Sequence, residues 1–174
     1  MRKILATLAV LFALSATCFA ATPTDVCDFD AKTFCRNYNH LINFMGMTQR
    51  AAIDEGKILE RSNQNGDFVI MPLKNFGDGS GTVIGLVIDQ QGYIWEVNLH
   101  NENPKTEDEM ATAIAIALFT IGLEKDDCDA LLDELNRSGT ADMYFPSIGR
   151  YLAVDASTLS SNGVGRFEIS AHAD

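Results

Sequence analysis

Apolar residues recur at helical spacing between Asp30 and Gly46 and then at a spacing of two from Lys57 to His100, and this change of period divides the chain into unlike parts. In AKTFCRNYNHLINFM, the residues Phe34, Tyr38, Leu41, Ile42 and Met45 fall on one face. Asp30 stands at the N-cap and Gly46 supplies the stop, so a first amphipathic helix is predicted. Its other face carries Arg36, Asn39, His40 and Asn43, which makes His40 a solvated residue. The segments KILERS, DFVIMPLKN, TVIGLVID and YIWEVNLH then read as four strands, separated by Asn65-Gly66, FGDGSG and Gln90-Gln91-Gly92. Turns this short allow only antiparallel neighbours, hence a meander. Pro72 cannot donate to a ladder, so the second strand belongs at an edge or a bulge.

The stretch EMATAIAIALFTIGL is apolar nearly all round. Met110, Ile114, Leu118 and Ile121 share a stripe, with Ala113 and Ala117 beside it and Ile116 and Phe119 opposite. As a helix it is about 21 Å long against a bilayer core of about 30 Å, so it reads as a core helix lying on the sheet and covered from behind, not as a span. Thr106 and Glu109 offer a capping box at its start. DDCDALLDELNRSG forms a short third helix with Cys128, Leu131, Leu132 and Leu135 on its apolar side and Gly139 at its end. GRYLAVDA and VGRFEISA add one or two strands. The expected fold class is α+β: a four-strand antiparallel meander plus one or two C-terminal strands, packed by the apolar helix, with an N-terminal helix and a short third helix.

Before all of this stands MRKILATLAVLFALSATCFA, a basic start, an apolar centre and a small-residue end at Ala20. That is the layout of a signal peptide over residues 1–20, which leaves 21–174 as a single α+β domain in the periplasm or outside the cell. The context of Cys18 departs from a lipoprotein cleavage site at Ser15 and Thr17. The whole chain has a net charge of −11, and loss of Arg2 and Lys3 takes the mature chain to −13. An acidic chain of this kind argues against nucleic acid and anionic membrane surfaces as partners. Cys27, Cys35 and Cys128 remain, an odd number for an oxidising compartment. Cys27 with Cys35 is the preferred disulfide on proximity in sequence, a bridge from either to Cys128 is the rival, and Cys128 otherwise reads as a buried thiol.

Candidate chemistry is sparse. Gly77-Asp78-Gly79-Ser80-Gly81 lies between strands and lacks the Lys of a phosphate loop; GxSxG and HExxH do not occur. The acidic clusters lack a calcium-loop spacing, and no Cys pair has a zinc spacing, so no metal or cofactor is expected. His100, at the end of the fourth strand, is the best general-base candidate. The most suggestive feature is the second face of the sheet, where Val83, Val87 and Ile94 alternate with the inward residues. Helices on one side only would leave those three as a shallow groove, whereas the first helix on that side would cover them. The resulting expectation is a non-enzymatic envelope domain, monomer or homodimer, that binds a small ligand, a peptide or a protein. The alternatives are a hydrolase using His100 with a nearby carboxylate, and a structural homo-oligomer.

Overall fold

Two rows of apolar side chains run across the strands and set the architecture. In the computed structural model, which describes residues 24–63, 66–74 and 81–172, the meander is β1 (Leu59–Asn63), β2 (Gly66–Pro72), β3 (Thr82–Ile88) and β4 (Ile94–Asn101). The chain then leaves the sheet for two helices and returns as β5 (Thr140–Phe145), β6 (Arg150–Asp155) and β7 (Gly165–His172). Strand order is β1-β2-β3-β4-β7-β6-β5, antiparallel throughout. One row reads Val69, Leu86, Val97, Ile169, Val154, Ala141 from β2 to β5, and the next reads Met71, Ile84, Leu99, Phe167. Every one of these side chains is buried.

All three helices serve that face. Helix α1 (Ala31–Phe44) contributes Phe34, Tyr38 and Ile42, α2 (Glu107–Thr120) contributes Met110, Ala113, Ile116 and Ala117, and α3 (Lys125–Ser138) contributes Cys128 and Leu131. These join the two inward rows in one hydrophobic cluster. Burying a large aliphatic or aromatic side chain is worth about 1.5–3 kcal/mol. Helix α2 packs on β3 and β4 and against α1 and the short 3-10 turn Gln49–Ala51, which is why its sequence is apolar on nearly every side. Among the described residues no helix is long and apolar enough to cross a membrane.

Local chemistry explains the element ends. Asp30 Oδ1 accepts from the Thr33 amide at 2.8 Å, as an N-cap should. Gly139 closes α3 at φ +77°, and a Cβ there would come within 3.4 Å of Ser157, so the left-handed turn that starts β5 suits glycine. The capping box at α2 is not formed. Thr106 occupies the N-cap position, but its hydroxyl donates instead to Asn101 Oδ1 at 3.0 Å and to the Asn103 carbonyl at 2.9 Å.

Asn101 is the reason. Fully buried at the end of β4, it donates to the carbonyls of Asn103 and Gly163 at 3.0 and 2.9 Å and accepts from the Asn103 amide at 3.1 Å. One side chain thereby ties the β4 end, the entry to α2 and the β6–β7 loop together.

Other expectations are revised. β2 lies inside the sheet, not at its edge; Pro72 is its last residue, beyond the reach of β1, whose pairing stops at Ile70. The C-terminal part holds three strands, because TADMYF pairs with β6. Leu132 on α3 is 49% exposed, so the buried stripe there is Cys128 and Leu131. Cys27, Cys35 and Cys128 are all free and buried, so the Cys27–Cys35 disulfide is absent. Cys27 lies in an extended segment bridged to Ile94 with its thiol directed at the Phe29 carbonyl, whereas Cys35 sits on α1 beside the β1–β2 edge. The signal segment, Asn65 and the loop 75–80 lie outside the described residues.

The Asn101 node makes a direct prediction. Asn101→Ala should remove the partners of the Gly163 carbonyl and the Asn103 amide and leave the Thr106 hydroxyl only the Asn103 carbonyl, at a cost of about 3 kcal/mol. Urea unfolding of the two proteins measures this; a loss under about 1 kcal/mol would show that Asn101 is not the tie between these segments.

Candidate functional site

The alternate residues of the strands form the other face of the sheet, and no described helix lies on it. Its rows can be followed strand by strand. One runs Leu59, Ile70, Gly85, Asn98, Glu168, Asp155, Thr140 from β1 to β5. The next runs Arg61, Phe68, Val87, Glu96, Ser170, Ala153, Asp142. A third has Pro72, Val83, His100 and Arg166. Each row changes character in the same direction, from apolar on β2 and β3 to charged and small on β4, β7, β6 and β5.

Val83 and Val87 both stand on this face. Val83 is half-buried, and Val87 is 4% exposed but outside the main core cluster. Between them Gly85 leaves a dip, since it carries no side chain beside Asn98. Ile94 is elsewhere. Val87 pairs with Glu96 and Ile88 with Ile94, which leaves Trp95 as the extra residue of a β-bulge. That single insertion reverses the alternation and turns Ile94 into the core, fully buried. The sequence pattern contains no mark of it, because Ile94-Trp95 reads equally well in either register.

The charged half is a connected network. The Arg166 guanidinium donates to Asn98 Oδ1 through Nε at 2.9 Å and Nη2 at 2.7 Å, and it pairs with Glu168 at 3.1 Å and with Glu96 at 3.8 Å. Asn98 donates in turn to Glu96. Burial and the neighbouring Glu96 carboxylate push the Glu168 carboxyl above its ordinary range, and Arg166 only partly offsets them. Beyond this network, at the β5 edge, lies a concavity of about 710 Å³ lined by Thr140, Asp142, Ala153, Asp155, Glu168 and Ser170 of the sheet and by Glu134 and Ser138 at the end of α3. Beside Asp142, the rings of Tyr144, Tyr151 and His172 pack in series at tilted angles, with centroids 5.2 and 5.9 Å apart, and His172 meets Asp142 at 2.8 Å.

The other candidate chemistry is less assembled. His100 does have a carboxylate partner, Glu102 at 3.1 Å, but the side chains are 52% and 72% exposed, so the pair stands in water with no wall to hold a substrate against it. A smaller concavity of about 420 Å³ lies between α1 and the β1–β2 edge, with Cys35, Ile58, Val69 and Met71 in it and Lys32 and Glu60 at the rim. Burial pushes the Cys35 thiol up to about 11 and the Cys27 thiol up to about 12, which makes both poor nucleophiles at neutral pH. Among the described residues no group of His, Cys, Asp and Glu is placed to hold a metal ion.

Comparison with known proteins does not extend the argument: no family model, curated protein or solved structure matches the chain.

Two measurements follow from the burial of these groups. A raised Glu168 pKa means that the folded state binds its proton more tightly than the unfolded state, so this residue's contribution to stability is present below the ordinary carboxylate range and is lost as pH rises through the folded value. Carboxyl carbon NMR should place the Glu168 midpoint above that of exposed glutamates, and Glu168→Gln should flatten the fall in stability across that window; an unshifted midpoint would refute the packing described. The buried thiols should resist a disulfide reagent in the native protein and react after denaturation. Fast native labelling would show that one of them is open to solvent.

Proposed function

We propose that this chain is an exported envelope domain that holds a peptide or protein partner against the uncovered face of its sheet. The observation that carries this reading is the placement of α1, α2 and α3 together on the inward face, which leaves the rows through Val83, Gly85 and Val87 with no covering element among the described residues. A sheet face that is part apolar and part charged is a poor solvent surface but a good contact surface, with an apolar centre and polar groups to set orientation. Its openness favours an extended partner over a small molecule, which needs walls that bury most of its area. Export is supported by the residues 1–20, and the burial of all three thiols suits an oxidising compartment, since a protonated, inaccessible thiol exchanges slowly.

The test places a photo-crosslinking residue at Val83 on the second face and, as a control, at exposed Glu124 at the start of α3. A defined adduct should form in the envelope fraction from Val83 alone. Gly85→Arg fills the dip without backbone strain, because a Cβ there meets Asn98 only at 3.7 Å. It should abolish that adduct while leaving the melting temperature unchanged. Equal adducts from both positions, or an adduct indifferent to Gly85→Arg, would exclude this face as the contact. Recovery of the uncleaved chain in the cytosol, in place of a mature chain starting at Ala21, would exclude export.

A further inference from the structure

We infer that the partner presents a cationic amphipathic helix, lying along the strand direction with its apolar side chains on β2 and β3 and its Lys or Arg side chains over β7 and β6; this rests on the uncovered face being the binding face. In the rows through Gly85 and Val87, apolar residues give way to acidic ones within a few strands: Ile70 to Glu168, and Phe68 to Asp142. At about 4.8 Å per strand, Ile70 on β2 and Glu168 on β7 are about 14 Å apart. A helix with its side chains is about 10–12 Å across, so one helix set over β3 and β4 reaches the apolar strip with one flank and the acidic strip with the other. Gly85 and Asn98 lie under its axis, and the missing side chain at Gly85 gives it a seat. A strand of about seven residues is about 23 Å long, enough for about four helical turns.

The sign of the charge follows from the residues on the far strip. Glu96, Glu168, Asp155 and Asp142 face Arg166 and His172, so carboxylates are in excess. Burial first, and then the neighbouring Glu96 carboxylate, raise Glu168, and a further cation beside the pair would offset that repulsion. The concavity of about 710 Å³ is lined by small residues and by the carboxylates of Glu134, Asp142, Asp155 and Glu168, a lining that suits long cationic side chains. An anionic or nucleic-acid ligand would meet like charge there. A second copy of this chain, itself at −11, would bring acidic strip and acidic charge together.

The probe is a synthetic 14-residue helix with one Leu stripe and one Lys stripe, compared with a twin in which Gln replaces Lys, and binding to the mature chain is mapped by backbone amide shifts. The Lys peptide should shift amides of β3, β4, β7 and β6 and bind about tenfold more tightly than the Gln twin. Glu168→Gln with Asp155→Asn should remove most of that preference and most of its salt dependence, while the amide spectrum stays that of the folded chain. If the Gln twin binds this face as tightly as the Lys peptide, the cationic class is wrong and the binding face stands. If shifts appear only on the helices or the sheet edges, or Gly85→Arg leaves binding intact, the face itself is wrong. A sedimenting dimer that Gly85→Arg dissociates, with no peptide bound, would replace the helix by a second copy of the chain.

Discussion

The row Val69, Leu86, Val97, Ile169, Val154, Ala141 is the interaction on which the rest of the structure depends. Six strands contribute one buried side chain each, and the registers of all five pairings follow from keeping these side chains on one side. The pairing of β4 with β7 is the critical one, because it joins the meander to a strand that arrives more than 60 residues later and brings β6 and β5 with it. Val97 with Ile169 and Leu99 with Phe167 hold that junction, and the helices are the cover that this apolar surface requires.

One-sided cover has a consequence for function. With three helices on the inward face, the described residues form a two-layer structure in which no helix lies on the second face. Antiparallel sheets often place such a face in water and line it with polar residues. Here only β4 to β7 conform. β2 and β3 keep Phe68, Ile70, Val83 and Val87 on the outer face, partly shielded by one another, and the Arg166 network separates them from the acidic strip. The face is graded from apolar to acidic across the strands.

The polar ties have a different task from the core. Asn101 joins three segments whose apolar contacts alone would not set the direction in which the chain leaves the sheet for α2. Arg150, nearly buried, donates to the Val26 carbonyl and pairs with Asp28, so it anchors the N-terminal segment to the start of β6. Such groups bring direction where hydrophobic burial brings only proximity.

Much of this was legible in the residues. The periods of two and 3.6, the caps at Asp30 and Gly139 and the all-round apolar helix depend on neighbours near in sequence, so the α+β class, the first helix, the meander and the core position of α2 could be read directly. Val83 and Val87 were placed on the outer face by the same alternation. The bulge that turns Ile94 inward, the loss of the Thr106 cap to Asn101 and the short strand TADMYF could not be read, since each is decided by a partner distant in sequence: β3 opposite Trp95, the Gly163 loop, and β6. The side on which α1 packs belongs with these. Its apolar stripe requires burial against some sheet surface but names neither face, and only the closure of β7 onto β4 beneath α2 made one large apolar surface, on which all three helices could be buried together.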